Sequence, residues 1–433
     1  MNLTAIENKV ASFRTIDKLE PEWLYNLRKE SWEFYNDAPL PERVTNVWRY
    51  TKPENFLVAN AEEIMNTAPL IPDGSNGHPY PKNSEYSAVG YNREDMMTMV
   101  KIDPAVAGQG VIIKNLFQAA RENEDLVRQY FGTMVAPNFG KFEALNMALW
   151  NNGFFIFVPD NTVIEKPIAL NRHPGDNFSH IRLLAVIGRN SQVTLVDNYS
   201  CSGRAESGVD NSAVEIFGGD SARVKYVNLQ RLGPQCIGYI TQRARIGRSG
   251  NIYSIYGATG GAVSKMNAGT ILAGRHAESR MSGVIFGDKN QHFDYHTLHH
   301  HQDNESYSNI DFKVILKDKA MSAYTGLIRI EKDTINNEAY QENRNLLLNK
   351  GTKAESIPEL EILTDQVRCT HGATMGPIDP QMLFYLKARG IGHEEAVKMI
   401  AAGFVEPTIM QMPNELREMM RGIVTDKLAG EQK

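Results

Sequence analysis

Three regimes of hydrophobic spacing divide the chain. After Pro21, the residues Trp23, Leu24, Leu27, Ser31 and Phe34 recur at helical spacing, and a second apolar stripe runs from Val111 to Met134. Lys141 to Asn152 is a third candidate helix, with Gly153 as its stop. From Phe154 to about Ala373 the period changes to two. Val193/Leu195, Val214/Ile216, Val224/Tyr226, Phe312/Val314/Leu316 and Gly326/Ile328/Ile330 alternate with mostly polar neighbours, and β-branched residues are frequent.

Turn residues punctuate this stretch: Gly218-Gly219, Gly233-Pro234, Gly247, Gly250, Gly257, Gly260-Gly261, Gly274, Gly283 and Gly287. Many short strands with almost no helix between them fit a sandwich, a barrel or a solenoid, and no sharp repeat decides among the three. After Gly376 the helical period returns. Asp379 is placed to N-cap a helix with Pro380 at its first position, and Gly390 stops it. Val397, Ile400, Ala401 and Phe404 then form one apolar stripe, and Leu416, Met419, Met420 and Ile423 form another. Each stripe either packs on the β region or docks a partner. The pattern thus divides the chain into a mostly helical region (1–153), a β core (154–373) and a C-terminal helical region (374–433).

Composition narrows the function classes. The 433 residues are long enough for a sizeable core, with 42% hydrophobic and 22% charged residues. A formal net charge of −5 gives no basic excess for nucleic acid. The start, Met1 to Ile6, lacks a basic segment followed by an apolar run, and no apolar stretch is long enough to span a membrane, so a cytoplasmic protein is expected. Cys201, Cys236 and Cys369 are too few and too irregularly spaced for a disulfide framework or a CxxC zinc site, which fits reduced thiols.

Two places carry candidate chemistry. Within Val367 to Gly372, Cys369 and His371 stand two apart, so on a strand they project from one face. A neighbouring imidazole lowers a thiol's pKa or joins it on a soft metal; the plain alternative is a buried, inert cysteine. The densest histidine cluster is His292 to His301. If extended, it presents His292, Asp294, His296 and His300 on one face, with His299 and His301 on the other. A metal site could be drawn there, yet a straight strand spreads residues i and i+4 by ~13 Å, which favours hydrogen-bonded structural histidines. No GxxxxGK[ST] or GxGxxG phosphate loop occurs.

The order of several segments resembles the SufB/SufD family of iron–sulfur cluster biogenesis. The resemblance rests on Asp294 to His300 (DYHTLHH), Ser322 to Gly326, Glu338 to Leu348 (EAYQENRNLLL), Pro358 to Ile362 (PELEI), Cys369 to Thr374 (CTHGAT) and Leu383 to Ile391 (LFYLKARGI). Upstream, Lys141 to Asn146 leading to Phe157-Val158-Pro159, and Trp48 to Thr51 (WRYT), are also similar, so the likeness covers nearly the whole chain. The WRYT segment and the CTHGAT form are similar to the SufD branch; Thr370 replaces the commoner serine and leaves the implied roles untouched.

The resemblance implies a right-handed parallel β-helix (β-solenoid) flanked by helical regions, acting as a non-ATPase scaffold. It implies pairing with SufB through the β-helix ends, a SufD homodimer when isolated, and docking of the SufC ATPase on the C-terminal helices, for which Val397, Ile400, Phe404, Leu416, Met419 and Ile423 are the candidates. It further implies that His371, with Cys369 beside it, contributes to a transient iron–sulfur cluster shared with SufB, that ATP acts only through SufC, and that reduced flavin binds in the complex. No stable metal is expected in the isolated chain. The competing classes are a secreted β-helical carbohydrate-active enzyme, disfavoured by the lack of a DD or D-x-D cluster, and a metalloprotein built on the 292–301 histidines.

Overall fold

A computed structural model describes residues 21–43, 46–57, 85–93, 96–150, 152–173, 178–200 and 207–430. Cys201 lies outside the described residues. The chain winds into a parallel β-solenoid of two facing sheets, one of ten strands and one of nine, visited alternately. From Phe178–Ile187 onward each strand therefore pairs with the strand two before it: Val224 with Val193, Ile252 with Val224, and so on to Cys369 with Ala339. One circuit takes about 29 residues, the separation seen between Asp160 and Arg189 on neighbouring coils. No crossover helix interrupts it among the described residues.

Alternation decides which residues fill the bore. Val193, Leu195, Val214, Ile216, Val224, Tyr226, Phe312, Val314 and Leu316 all belong to one buried cluster between the sheets. Inward pointing at every second position follows from the pleat. Sequence repeats stay faint because the corners do not use one residue type. Asn161, Asn190, Ser221, Ser249, His276, Glu305 and Asn336 occupy equivalent corners with positive φ, each donating its N–H to a carbonyl of the next coil. Side chains of several types tolerate that single left-handed step.

Several glycines read as turns lie inside strands instead. A Cβ on Gly283 would sit 2.2 Å from the Phe312 ring of the adjacent coil, so this glycine makes room for an aromatic. The helix expected over Lys141 to Asn152 ends at Leu149, and Asn152 opens the next strand. Gly153 is not its stop: it lies in that strand at φ +153, where a Cβ would clash with the Arg182 carbonyl oxygen.

The Val111 to Met134 stripe is not one helix. It comprises a strand, Ile112–Asn115, and two short helices, Leu116–Glu122 and Glu124–Tyr130, because Asn115 caps a new helix with its side chain. The N-terminal part also contributes the strands Ala88–Arg93 and Met96–Ile102, the first in parallel register with Ile168–His173. Helix Glu22–Asp37 packs on helix Lys141–Leu149, and Arg28 ties them by donating to the carbonyls of Ala148 and Trp150. No helix among the described residues is long and apolar enough to cross a membrane.

Candidate functional site

The two ends of the solenoid differ. At the first, antiparallel strands close the sheets: Met96–Ile102 against Ala88–Arg93, and Ile112–Asn115 against Asn152–Val158. At the other, Lys353–Ile362 and Val367–Gly376 are each hydrogen-bonded on one side only among the described residues. Both strands are ten residues long. Leu360, Leu363 and Met375 are exposed there, with half of Met375 accessible. Long, flat edges with apolar side chains are what proteins normally shorten, charge or cover.

Cys369 and His371 lie on this last strand, in register with Ala339 and Gln341 of the preceding coil. Both belong to the bore-facing set, as the two-residue spacing anticipated. Their environments differ. Cys369 packs half-buried against the Ile328, Ile330 and Ala339 cluster, whereas His371 is exposed. Burial pushes the Cys369 thiol up, and the backbone hydrogen bond with Ala339 offsets this only in part. The thiol is therefore not activated by its neighbour. The exposed imidazole is the more available donor.

The histidine strand is held in a network of side-chain hydrogen bonds. Asp294 accepts from Thr51 Oγ1 (2.5 Å), Lys265 Nζ (2.8 Å) and His296 Nε2 (2.9 Å), and His292 meets the Thr51 hydroxyl at 3.2 Å. Lys265 also donates to the Val47 carbonyl and lies 4.7 Å from the Trp48 ring centroid. Burial would raise the Asp294 carboxyl, yet Lys265 and His296 outweigh it and hold it well below the usual carboxylate range. These contacts clamp the Trp48 to Thr51 segment onto the outer face of the nine-stranded sheet. On the opposite, inward face, His299 meets Ser279, and His301 meets Ser306 and Ser308. His300 pairs with Glu331 at 2.7 Å. No group of three or more His, Cys, Asp or Glu suited to a metal ion occurs among the described residues.

The C-terminal helices are Pro380–Ala388, His393–Ile409 and Asn414–Ala429. Asp379 caps the first through the Gln381 N–H, and Gly390 ends it at φ +86. Ala401, Val405, Leu416, Met420 and Val424 are buried against Val227, Ile255, Val284 and Phe286 of the ten-stranded sheet. Phe404, Met419 and Ile423 flank that contact, while Val397 and Ile400 are half-buried. Lys427 anchors the last helix by donating to the Thr259 carbonyl, Asp288 and Gln291. The free apolar surface lies elsewhere. Helix Pro380–Ala388 buries none of its residues, and Met382, Phe384, Tyr385 and Met399 are exposed, Phe384 by 73%. The run Leu383-Phe384-Tyr385-Leu386 was the available signal, since four consecutive apolar positions cannot all face one core.

The described residues thus form a β-solenoid with one end closed by antiparallel strands, one open end and a helical appendage presenting aromatics. Two family models match the chain: residues 11–170 match the SufBD protein N-terminal region, and residues 170–404 match the SufBD core domain of the SUF system for FeS cluster assembly. The chain belongs to the SufBD family of iron–sulfur cluster assembly proteins. It is 30% identical over 415 residues to the iron–sulfur cluster assembly protein SufD of Bacillus subtilis, covering 92% of each chain. It is also 27% identical over 423 residues to a SufBD family protein of Staphylococcus saprophyticus, covering 95% of this chain and 91% of that one.

Proposed function

We propose that this chain is the SufD-type, non-ATPase scaffold of a three-component iron–sulfur assembly complex. The single observation that carries the reading is the pair of terminal strands, the last bearing His371, each left with one open edge among the described residues. A SufB-type chain adding its own strands there would satisfy both rows of backbone groups and cover Leu360 and Met375. The cluster would form transiently at that junction. A lone imidazole and thiol supply two of the four protein donors that clusters commonly take, so the partner supplies the rest. Isolated copies would pair end to end through the same edges.

The sequence holds no phosphate loop, so ATP acts through a SufC-type ATPase and reduced flavin enters at the level of the complex. The docking surface expected around Val397, Ile400, Phe404, Leu416, Met419 and Ile423 is best centred on the neighbouring exposed residues Phe384, Tyr385 and Met399, because Leu416 is already buried on the sheet. Exposed aromatics of this kind are typical interface anchors. Phe384→Asp is expected to weaken association with a SufC-type ATPase by about tenfold or more, with the solenoid still folded. Binding measured by calorimetry on the purified pair checks this; unchanged affinity would move the docking site off this helix.

A further inference from the structure

A cleft of about 410 Å³ lies between the Trp48 segment and the outer face of the nine-stranded sheet. Its floor follows from the register, with Asn267, His296 and Thr325 in one row and Gly269, Leu298 and Leu327 in the next. Trp48 and Phe139 form walls. That volume is within the range of small-molecule sites.

Two polar groups face this space with capacity unused. Arg243 is only 7% exposed and makes no ion pair among the described residues. Its Nη1 donates to the Gln242 and Asn267 carbonyls at 2.7 Å, and Nη2 donates to Asn267 Oδ1 at 2.9 Å. Of five N–H donors, Nε–H and one on Nη2 are left, the fork that receives a carboxylate side-on. Phe139 covers the guanidinium 4.7 Å from its ring centroid, and a Cβ on Gly269 would lie 3.3 Å from Arg243 Cδ, Nε and Cζ. Glycine and aromatic thus sandwich the guanidinium. Glu143 is a nearby negative charge, but it already accepts from Tyr239 and Thr241.

The second group is His296. Asp294 is an anion and only accepts, so His296 Nε2 carries the proton of that 2.9 Å bond. Nδ1 is then the acceptor of the ring, and the ring lines the cleft. Glu143 and Glu359 also line the cleft, but neither carboxylate forms an ion pair with Arg243 among the described residues, so a buried cation with donors to spare and an imidazole acceptor, beside Leu298 and Leu327, define complementary chemistry.

We propose that this cleft binds a small organic carboxylate that also carries a hydrogen-bond donor. The carboxylate takes the Arg243 fork, the donor reaches His296 Nδ1, and the apolar body lies on Leu298 and Leu327. The inference does not depend on the scaffold reading. Lactate, 4-hydroxybenzoate and 4-hydroxyphenylacetate, each a carboxylate with a hydroxyl donor, titrated into the full chain and followed by saturation-transfer NMR and thermal shift, test it. At least one is expected to bind in the millimolar range or tighter, with affinity reduced at least tenfold by Arg243→Gln. Leu327→Trp, which fills the half-buried floor without touching the polar groups, is expected to cause the same loss and serves if Arg243→Gln misfolds. No binding by any of the three, or binding that survives Leu327→Trp, overturns the proposal.

Discussion

His371→Ala is expected to lower iron–sulfur cluster maturation by about tenfold or more in cells that rely on this assembly route alone, while the protein still folds and joins its complex. The imidazole is exposed on an edge strand and makes no hydrogen bond to another described residue, so its removal leaves no buried partner stranded. A surface truncation of this kind costs within about 0.5 kcal/mol. If His371 instead served only to cap the end of the solenoid, the variant would lose about 1 kcal/mol or more, and maturation would fall only in step with that loss. Maturation assays run beside urea unfolding separate the two. Cys369→Ala should be milder, because burial keeps that thiol protonated and packed on Ile328 and Ile330.

Asp197→Ala is expected to destabilise the solenoid by about 3–5 kcal/mol. Inside the bore, Asp197 accepts from Arg172 Nε (2.6 Å), Arg172 Nη2 (2.7 Å), Tyr226 Oη (2.6 Å) and Asn228 Nδ2 (3.0 Å), with neither charged partner accessible to solvent. Asp210, pushed up to about 6 by burial, remains nearby as a second carboxyl. The cost is therefore set by the stranded donors as much as by charge. Replacing the pair by apolar side chains, Arg172→Met with Asp197→Leu, should recover the part of the loss due to Arg172, while Tyr226 and Asn228 stay without their acceptor. A shift in the urea midpoint worth less than about 1 kcal/mol for Asp197→Ala would show that water reaches the bore and satisfies Arg172.

Which parts of this were legible beforehand follows from the range of the interactions involved. Inward residues such as Val193, Leu195, Phe312 and Val314 announce themselves because the pleat imposes a period of two on neighbours in sequence. The cap at Asp379 and the stop at Gly390 are equally local. The placement of Cys369 and His371 on one face needed only the strand assignment, whereas their unequal burial depends on Ile328 and Ala339 from other coils. Thr51 reaching Asp294 across 243 residues is invisible to any local pattern. The C-terminal stripes show the same limit: periodicity marks Leu416 and Met420 as apolar, but the sheet, not the helix, decides that they are covered while Phe384 is left open.

Hydrogen–deuterium exchange of this chain, alone and bound to a SufB-type partner, tests the open-end account most directly. Backbone amides of residues 353–362 and 367–376 that point away from the solenoid have no acceptor among the described residues and should exchange fast in the free chain. Protection is predicted to appear in both segments on binding, strongest around His371, with little change in the strands Met96–Ile102 and Ile112–Asn115 at the closed end. A stable complex in which residues 353–376 still exchange as in the free chain would contradict it, and would place the partner on another surface.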